Sequence, residues 1–307
     1  MLKVGTDCSG IEAPIQALEQ MNKSFVHKFS SDIDKFCIKS IKANYNPEII
    51  FGDKEGDYPE GDIRKRNIDE VPDIDLYVAG FPCQPFSMAS GKNRKGSADE
   101  RGDVFWGCYK TITEKQPKYF ILENVKGLLN VDKGETWKVI SKALEDLENL
   151  GYKVQWKVLN TKDYGIPQNR ERLYIVGTKG KEFIFPEKTE MKDLKTFVDY
   201  DDKTEVQPSP YCLPYWYKCE KSIFVDTQFI RMNTCFPNGH KICPCICTRG
   251  SHYNVLMKRY ANKKELLSLQ GFPKDFKQVV SKTQMNKQIG NSMSVNVLKS
   301  IFENLLE

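Results

Sequence analysis

Short apolar runs alternate with amphipathic stretches through the first half of the chain, and this alternation limits the fold more than any other feature. Strand-like runs at Leu2 to Thr6, Phe25 to Phe29, Leu76 to Ala79 and Tyr119 to Leu122 are separated by helical patterns at Ala13 to Met21, Asp34 to Asn44, Val104 to Glu114 and Glu135 to Leu150. Strand, helix and strand in succession predict parallel crossovers, so the fold class is α/β with a doubly wound, mostly parallel sheet. Pro14 suits a first helical turn, which makes Ser9 to Pro14 a strand-to-helix turn. Val154 to Leu159 and Arg172 to Gly177 read as an antiparallel pair at one edge, joined by the loop Asp163 to Arg170.

The texture then changes. Pro186 to Val255 is rich in proline and aromatic residues, holds six of the ten cysteines and shows no sustained helical period. Helical pattern resumes at Asn262 to Leu269 and again at Ser292 to Leu306. The expected division is a catalytic and cofactor-binding domain over 1–185, a small irregular lobe over 186–255 and a return segment over 256–307 that completes the first domain. With 307 residues, 40% of them hydrophobic, the chain can bury a large core. No run approaches the roughly 18 apolar residues of a membrane span, and the N-terminus enters a strand instead of a signal peptide, so no membrane partner and an intracellular location are expected. Cysteines scattered through a chain of this size point to reduced thiols.

The candidate chemistry follows the strand ends. Asp75 to Ala79 runs into Gly80-Phe81-Pro82-Cys83-Gln84-Pro85-Phe86-Ser87, which puts Cys83 where open α/β sheets place reacting groups. A thiolate is a strong nucleophile near neutral pH. Asp32, after the second run, sits where nucleotide-binding sheets put a ribose-binding acid, and Asp62 could accept from an adenine amino group. Thr6-Asp7-Cys8-Ser9-Gly10-Ile11-Glu12 offers backbone N–H groups at a helix start. Acids at successive strand ends without phosphate-binding glycines favour S-adenosylmethionine over a dinucleotide. Net charge is only +5, but Lys92, Arg94, Lys95 and Arg101 cluster in the glycine- and serine-containing stretch Ser87 to Gly102, which reads as a mobile basic loop suited to phosphates.

Five blocks together carry a specific resemblance: Pro82-Cys83-Gln84 with Phe86-Ser87, Glu123-Asn124-Val125, Gln168-Asn169-Arg170-Glu171-Arg172, Leu269-Gln270-Gly271-Phe272-Pro273 and Gln288-Ile289-Gly290-Asn291-Ser292. In this order and spacing the chain resembles the DNA (cytosine-5)-methyltransferases along nearly its whole length except the irregular lobe. The resemblance implies a Rossmann-like S-adenosylmethionine-dependent domain. It further implies attack by Cys83 on a flipped-out cytosine in double-stranded DNA, a carboxyl at ring nitrogen 3 from Glu123, and Arg170 and Arg172 holding the ring carbonyl. Ser9, Gly10, Ile11, Asp32, Ile33, Asp62, Ile63, Pro82, Asn291 and Ser292 are the implied cofactor contacts. Gln84, Ser87, Lys92, Arg94, Lys95 and Arg249 are the implied DNA contacts, and the protein is expected to be a monomer. Two positions depart from the pattern: Cys8 replaces an aromatic residue and Glu12 a glycine, so one wall of the cofactor pocket is expected to differ. Ile33 also replaces the aromatic residue common beside the ribose acid.

The irregular lobe is expected to read the DNA site through residues such as Arg231, Asn233, Arg249, His252 and Asn254. Cys235, His240, Cys243, Cys245, Cys247 and His252 invite a zinc reading. The Cys-x-Cys-x-Cys spacing, however, puts the thiols on one face of an extended segment, and no Cys-x-x-Cys is present, so packed cysteines and no metal are expected. Two rivals keep the fold: a tRNA-methylating relative, disfavoured by Pro82-Cys83-Gln84 in place of that branch's Pro-Pro-Cys, and an inactive DNA-binding relative, disfavoured by the intact Cys83, Glu123, Arg170 and Arg172.

Overall fold

The computed structural model describes residues 1–53, 61–82, 104–219, 221–230 and 241–307. Its centre is a seven-stranded sheet built from β1 (Leu2–Asp7), β2 (Phe25–Ser31), β3 (Ile49–Phe51), β4 (Leu76–Gly80), β5 (Tyr119–Val125), β6 (Tyr152–Asn160) and β7 (Glu171–Lys179). The spatial order is β3-β2-β1-β4-β5-β7-β6. The first five strands pair in parallel, and β7 then runs antiparallel against both β5 and β6. The edge hairpin expected from the sequence is therefore present, and the order reverses between β1 and β4, where such sheets leave a crevice at their carboxyl ends. The three-residue β3, too short for any periodicity, was not anticipated.

Helices α1 (Ala13–Gln20), α2 (Lys35–Asn44), α3 (Val104–Lys115), α4 (Glu135–Asp146), α5 (Lys263–Leu269), α6 (Lys282–Asn291) and α7 (Val295–Leu305) accompany the sheet. Local chemistry fixes their starts. Asp34 caps α2 by accepting from the Phe36 amide, and Asn262 and Glu265 form a capping box on α5. Helix α7 packs Val297, Leu298, Ile301 and Phe302 with Ile15 and Leu18 of α1 on one sheet face, while Phe105, Ile112, Ile140 and Leu144 of α3 and α4 belong to the core on the other. At about 25 cal/mol per Å² of apolar area these two layers dominate the stability of the domain.

Residues 186–255 are not wholly irregular. The chain there contributes β8 (Phe224–Asp226) and β9 (His252–Asn254), which join β10 (Arg259–Tyr260) in a three-stranded antiparallel sheet. Cys212, Cys219, Val225, Ile230 and Tyr253 form a small apolar cluster of their own. Leu194, Phe197, Phe224, Cys243 and Ile246 instead join the main core, so the segment is seated on the large domain through buried side chains. Among the described residues no helix is long and apolar enough to cross a membrane, and no group of three or more His, Cys, Asp or Glu is placed to share a metal ion.

Candidate active site

Two groups of side chains gather at the carboxyl ends of the parallel strands. The first surrounds the turn after β1. Gly10 takes a left-handed backbone (φ 57°), and its amide donates to Asp32 Oδ2 at 2.9 Å, while the Asp34 amide donates to Oδ1 at 2.8 Å. Ser9 locks the turn: its Oγ accepts from the Ser31 amide at 2.9 Å, and its own amide donates to the Ser31 carbonyl at 3.0 Å. Burial pushes the Asp32 carboxyl up to about 6, against the lowering effect of the Asp34 and Gly10 amides. A Cβ built on Gly10 would meet nothing within 4 Å, so open space adjoins the acid. Ile33 stands 64% exposed at its rim. An acid with spare lone pairs facing open space beside a glycine turn suits the hydroxyls of an adenosyl ribose.

Several expected cofactor contacts face elsewhere. Ile11 and Ile63 have their side chains in the core, Ile63 beneath Gly107, whose Cβ would lie 2.9 Å from Ile63 Cγ1. Both oxygens of Asp62 are held by Arg64, Nε on Oδ1 and Nη2 on Oδ2 at 2.7 Å each, which keeps its carboxyl below the usual range. Its capacity for an adenine amino group is thereby largely committed. Glu12 also turns its side chain inward. It is fully buried, with Oε1 accepting from Thr6 Oγ1 at 2.6 Å and Ser30 Oγ at 2.5 Å, and so ties β1 to β2 from beneath the turn. Pro82, Asn291 and Arg249 are exposed.

The second group lies across β4, β5 and β7. Register sets Gly80 opposite Glu123 and Val125 opposite Arg172. Because Gly80 has no side chain, the space where its Cβ would be lies 3.6 Å from Glu123 Oε2 and 3.2 Å from Met293 Cε. The carboxyl thus sits directly beside the chain entering Phe81-Pro82. Glu123 is 7% exposed, and its Oε1 is 3.3 Å from Arg172 Nε without an aligned hydrogen bond. Burial raises its pKa; Arg172 and Arg170 oppose this, and Cys245 adds to it. A carboxyl so placed keeps its proton to higher pH than a surface glutamate.

Arg170, 2% exposed, has its donors turned inward. Nη1 donates to the Ile246 carbonyl at 3.1 Å, and Nη2 donates to the carbonyls of Gly290 at 3.1 Å and Ser292 at 2.6 Å. In this geometry its Nη1 and Nη2 clasp three backbone segments, while its Nε has no hydrogen-bond partner. Arg172 keeps closer to the cavity, with Nη1 on the Glu171 carbonyl at 2.7 Å and Nη2 3.9 Å from Cys245 Sγ. Gln168 completes the clasp. Its Nε2 donates to the Leu269 carbonyl at 2.7 Å, and its Oε1 accepts from the Ile246 amide at 3.0 Å. Gln270 Nε2 in turn donates to the Ile289 carbonyl at 2.7 Å. Three blocks distant in sequence are therefore one hydrogen-bonded unit beneath Glu123 and Arg172.

One residue quoted within a motif but given no role is Asn124. Its Nδ2 donates to the Phe81 carbonyl at 2.9 Å and its Oδ1 accepts from the Val125 amide at 2.8 Å, so it pins the chain just before Cys83 to the end of β5. Only the fixed Glu-Asn-Val order hinted at it. Cys83, Gln84, Ser87, Lys92, Arg94, Lys95 and Arg101, like Arg231, Asn233, Cys235 and His240, lie outside the described residues.

A doubly wound sheet with a ribose-type acid after β2 and a carboxyl–guanidinium pair at the ends of β5 and β7 defines a Rossmann-like methyltransferase domain. Solved structures agree in fold: a Spodoptera frugiperda DNMT2 variant superposes with a TM-score of 0.73 at 19% identity over the full length of both chains. The S. pombe Dnmt2 methyltransferase gives 0.69, also at 19%, covering 100% of this chain and 98% of its own. The family model for C-5 cytosine-specific DNA methylases matches residues 7–218 and 215–307. Curated relatives include the type II methyltransferase M.HaeII of Haemophilus aegyptius, 38% identical over 89% of this chain and 83% of its own. M.BsuFI of Bacillus subtilis is also 38% identical over 89% of this chain, which spans 65% of that longer protein, just under two thirds. The chain belongs to the C-5 cytosine-specific DNA methylase family.

Proposed function

We propose that the protein transfers a methyl group from S-adenosylmethionine to carbon 5 of cytosine at a short specific site in double-stranded DNA. The observation that carries this reading is the buried Glu123 carboxyl beside Arg172, one residue pair across from the chain that leads into Cys83. Carbon 5 of cytosine is a weak nucleophile until a thiolate adds at carbon 6, and Cys83 supplies that thiolate. The addition moves negative charge to ring nitrogen 3, where a protonated Glu123 donates a hydrogen bond. Arg172 holds the carboxyl in place and offers its remaining donors to the ring carbonyl. Arg170 acts as a positioning residue, fixing the segments at Ile246, Gly290 and Ser292 against β7. When bound, S-adenosylmethionine supplies an electrophilic methyl group for carbon 5. Asp32, Gly10 and Ser9 would hold its ribose and the turn beside it, with Ile33 at the rim.

Carbon 6 is inaccessible in a stacked duplex, so the base must rotate out at a cost of a few kcal/mol. Gln84, Ser87, Lys92, Arg94 and Lys95 are the proposed contacts to the opened strand, joined by Arg249 from residues 186–255, which serve as the recognition lobe. The test is incubation of duplex DNA with methyl-labelled S-adenosylmethionine. Label should appear at cytosine carbon 5 and vanish in Cys83→Ser. Label that survives in Cys83→Ser would refute the mechanism, and label taken up by tRNA but not duplex DNA would refute the substrate.

A further inference from the structure

Cys245 and Cys247 stand at the reaction site without a place in the chemistry above. Cys245 Sγ lies 3.6 Å from Arg170 Nη1 and 3.9 Å from Arg172 Nη2, bridging the two guanidinium groups. Cys247 folds back toward it, with Sγ 3.4 Å from the Cys245 carbonyl oxygen. Both are partly exposed, whereas Cys243, in the same extended segment, is fully buried. The charged and titratable groups facing this pair are Glu123, Arg170 and Arg172 from the sheet side and Cys243, His252 and Asp226 from the recognition side.

We propose that Cys245 and Cys247 form an oxidisable dithiol that hydroperoxides convert to a disulfide, and that this modification switches off methyl transfer. The switch rests on the function proposed above; the thiol chemistry does not. The Cys245 thiolate attacks one peroxide oxygen, the O–O bond breaks, and hydroxide leaves and takes up a proton, giving a sulfenic acid. The Cys247 sulfur then attacks the Cys245 sulfur, the S–O bond breaks and water departs. Two sulfurs have lost two electrons, and the peroxide has become two waters. The pair is placed for this because the two thiols stand two residues apart and Cys245 Sγ lies against two guanidinium groups. Contact with Cys247 holds the Cys245 thiol well below the usual range against the opposing effect of burial, Arg170 and Arg172 add to the lowering, and the same contact pushes Cys247 up. The consequence for catalysis is electrostatic. Cys245 Sγ lies 3.9 Å from Arg172 Nη2, and Arg172 Nε lies 3.3 Å from Glu123 Oε1, so a disulfide that takes the sulfur's charge away from this guanidinium leaves Arg172 to favour the ionised carboxylate.

The experiment treats the full-length protein with hydrogen peroxide and maps thiols by tandem mass spectrometry. Wild type should lose two hydrogens within the peptide that contains Cys245 and Cys247, lose methyl transfer at least tenfold and recover both with dithiothreitol. Cys247→Ser should stop at a sulfenic acid that dimedone traps on Cys245, and Cys245→Ser should show neither product and keep its own untreated rate at a peroxide dose that silences wild type, whereas equal loss in Cys245→Ser would assign the inactivation to Cys83 and overturn the switch. In a Cys83→Ser background, alkylation of Cys245 by iodoacetamide should change less than about threefold between pH 5.5 and 8, where an ordinary thiol accelerates about 200-fold. A Cys245 disulfide to any other cysteine, or an ordinary pH dependence, would overturn the dithiol. A Cys245–Cys247 disulfide in a protein whose methyl transfer is undiminished would overturn the switch. The same disulfide in a protein that never methylates duplex DNA would leave the dithiol intact and defeat only the function.

Discussion

Gly290 offers the sharpest test of how the active site is held. A Cβ at this position would lie 2.5 Å from the Cys247 carbonyl carbon, 2.6 Å from the Thr248 nitrogen and 2.7 Å from the Cys247 oxygen. All three are backbone atoms, so no side-chain rotation relieves the clash. Moving from 2.5 Å to the ordinary contact limit of 3.4 Å requires the Cys247–Thr248 chain to retreat by about 0.9 Å. That chain continues from Ile246, whose carbonyl accepts from Arg170 Nη1 at 3.1 Å and whose amide donates to Gln168. Gly290→Ala should therefore cost about 1–3 kcal/mol for overpacking and about 1 kcal/mol for a weakened buried hydrogen bond. At roughly 2 °C per kcal/mol for a chain of this size, Tm should fall by roughly 4–8 °C. Displacement of the Arg172 side of the cavity should lower kcat by roughly tenfold to a hundredfold, because misplacement near 1 Å is expensive in catalysis. The assay pairs thermal denaturation with methyl-transfer kinetics. Gly127→Ala is the control, since its Cβ would meet only Val125 Cγ2 at 3.8 Å. A Gly290→Ala protein that melts within about 1 °C of wild type at full kcat would refute the close-approach reasoning.

Asp32→Asn removes a carboxyl whose pKa is raised from 3.8 to about 6 by burial. A raised folded-state value means the native state is favoured below pH 3.8 and loses that advantage as pH rises through about 6. Asparagine turns one of the two acceptors into an NH2 facing an amide donor, so the variant should be about 1–3 kcal/mol less stable than wild type near pH 4 and regain up to about 3 kcal/mol relative to it above pH 7, while binding S-adenosylmethionine at least tenfold more weakly. Melting curves across that range with calorimetric titration would check both, and a pH-independent difference would count against it. Glu123→Gln should lower kcat/KM by about 10²–10⁴-fold in methyl transfer without lowering Tm, and wild-type activity should decline as pH rises through the shifted Glu123 pKa. Asn124→Ala, which frees the Phe81 carbonyl, should reduce kcat by roughly tenfold in steady-state assays while leaving KM for S-adenosylmethionine unchanged. Arg170→Met leaves the Ile246, Gly290 and Ser292 carbonyls without their shared donor and should cost at least about 3 kcal/mol in denaturant unfolding.

Much of the frame could be read along the chain because its periodicities are local. Four of the five parallel strands, the helices at Ala13–Gln20 and Lys35–Asn44 and the Tyr152–Lys179 hairpin region each announce themselves through apolar spacing and caps. Elements without such spacing escaped. Helix α6, Lys282–Asn291, reads as polar, yet it buries Met285, Gln288, Ile289 and Gly290 because the Arg170 and Gln270 donors need its last carbonyls. Strands β8, β9 and β10, of two or three residues each, exist only through their pairing. The acids were similarly ambiguous: Asp32 faces open space, but Asp62 is spent on Arg64, and no spacing rule separates the two.

Taken alone, the order of residues determined the α/β class and the family resemblance and singled out the candidate reacting groups, since motif chemistry and short-range period are written in neighbouring residues. Tertiary structure decided which donors remain for a ligand. Arg170 and Arg172, two positions apart on one strand, end as a backbone clasp and a carboxylate partner, because the Ile246, Gly290 and Ser292 carbonyls arrive from 76 to 122 residues away and claim the first guanidinium only after the chain has folded.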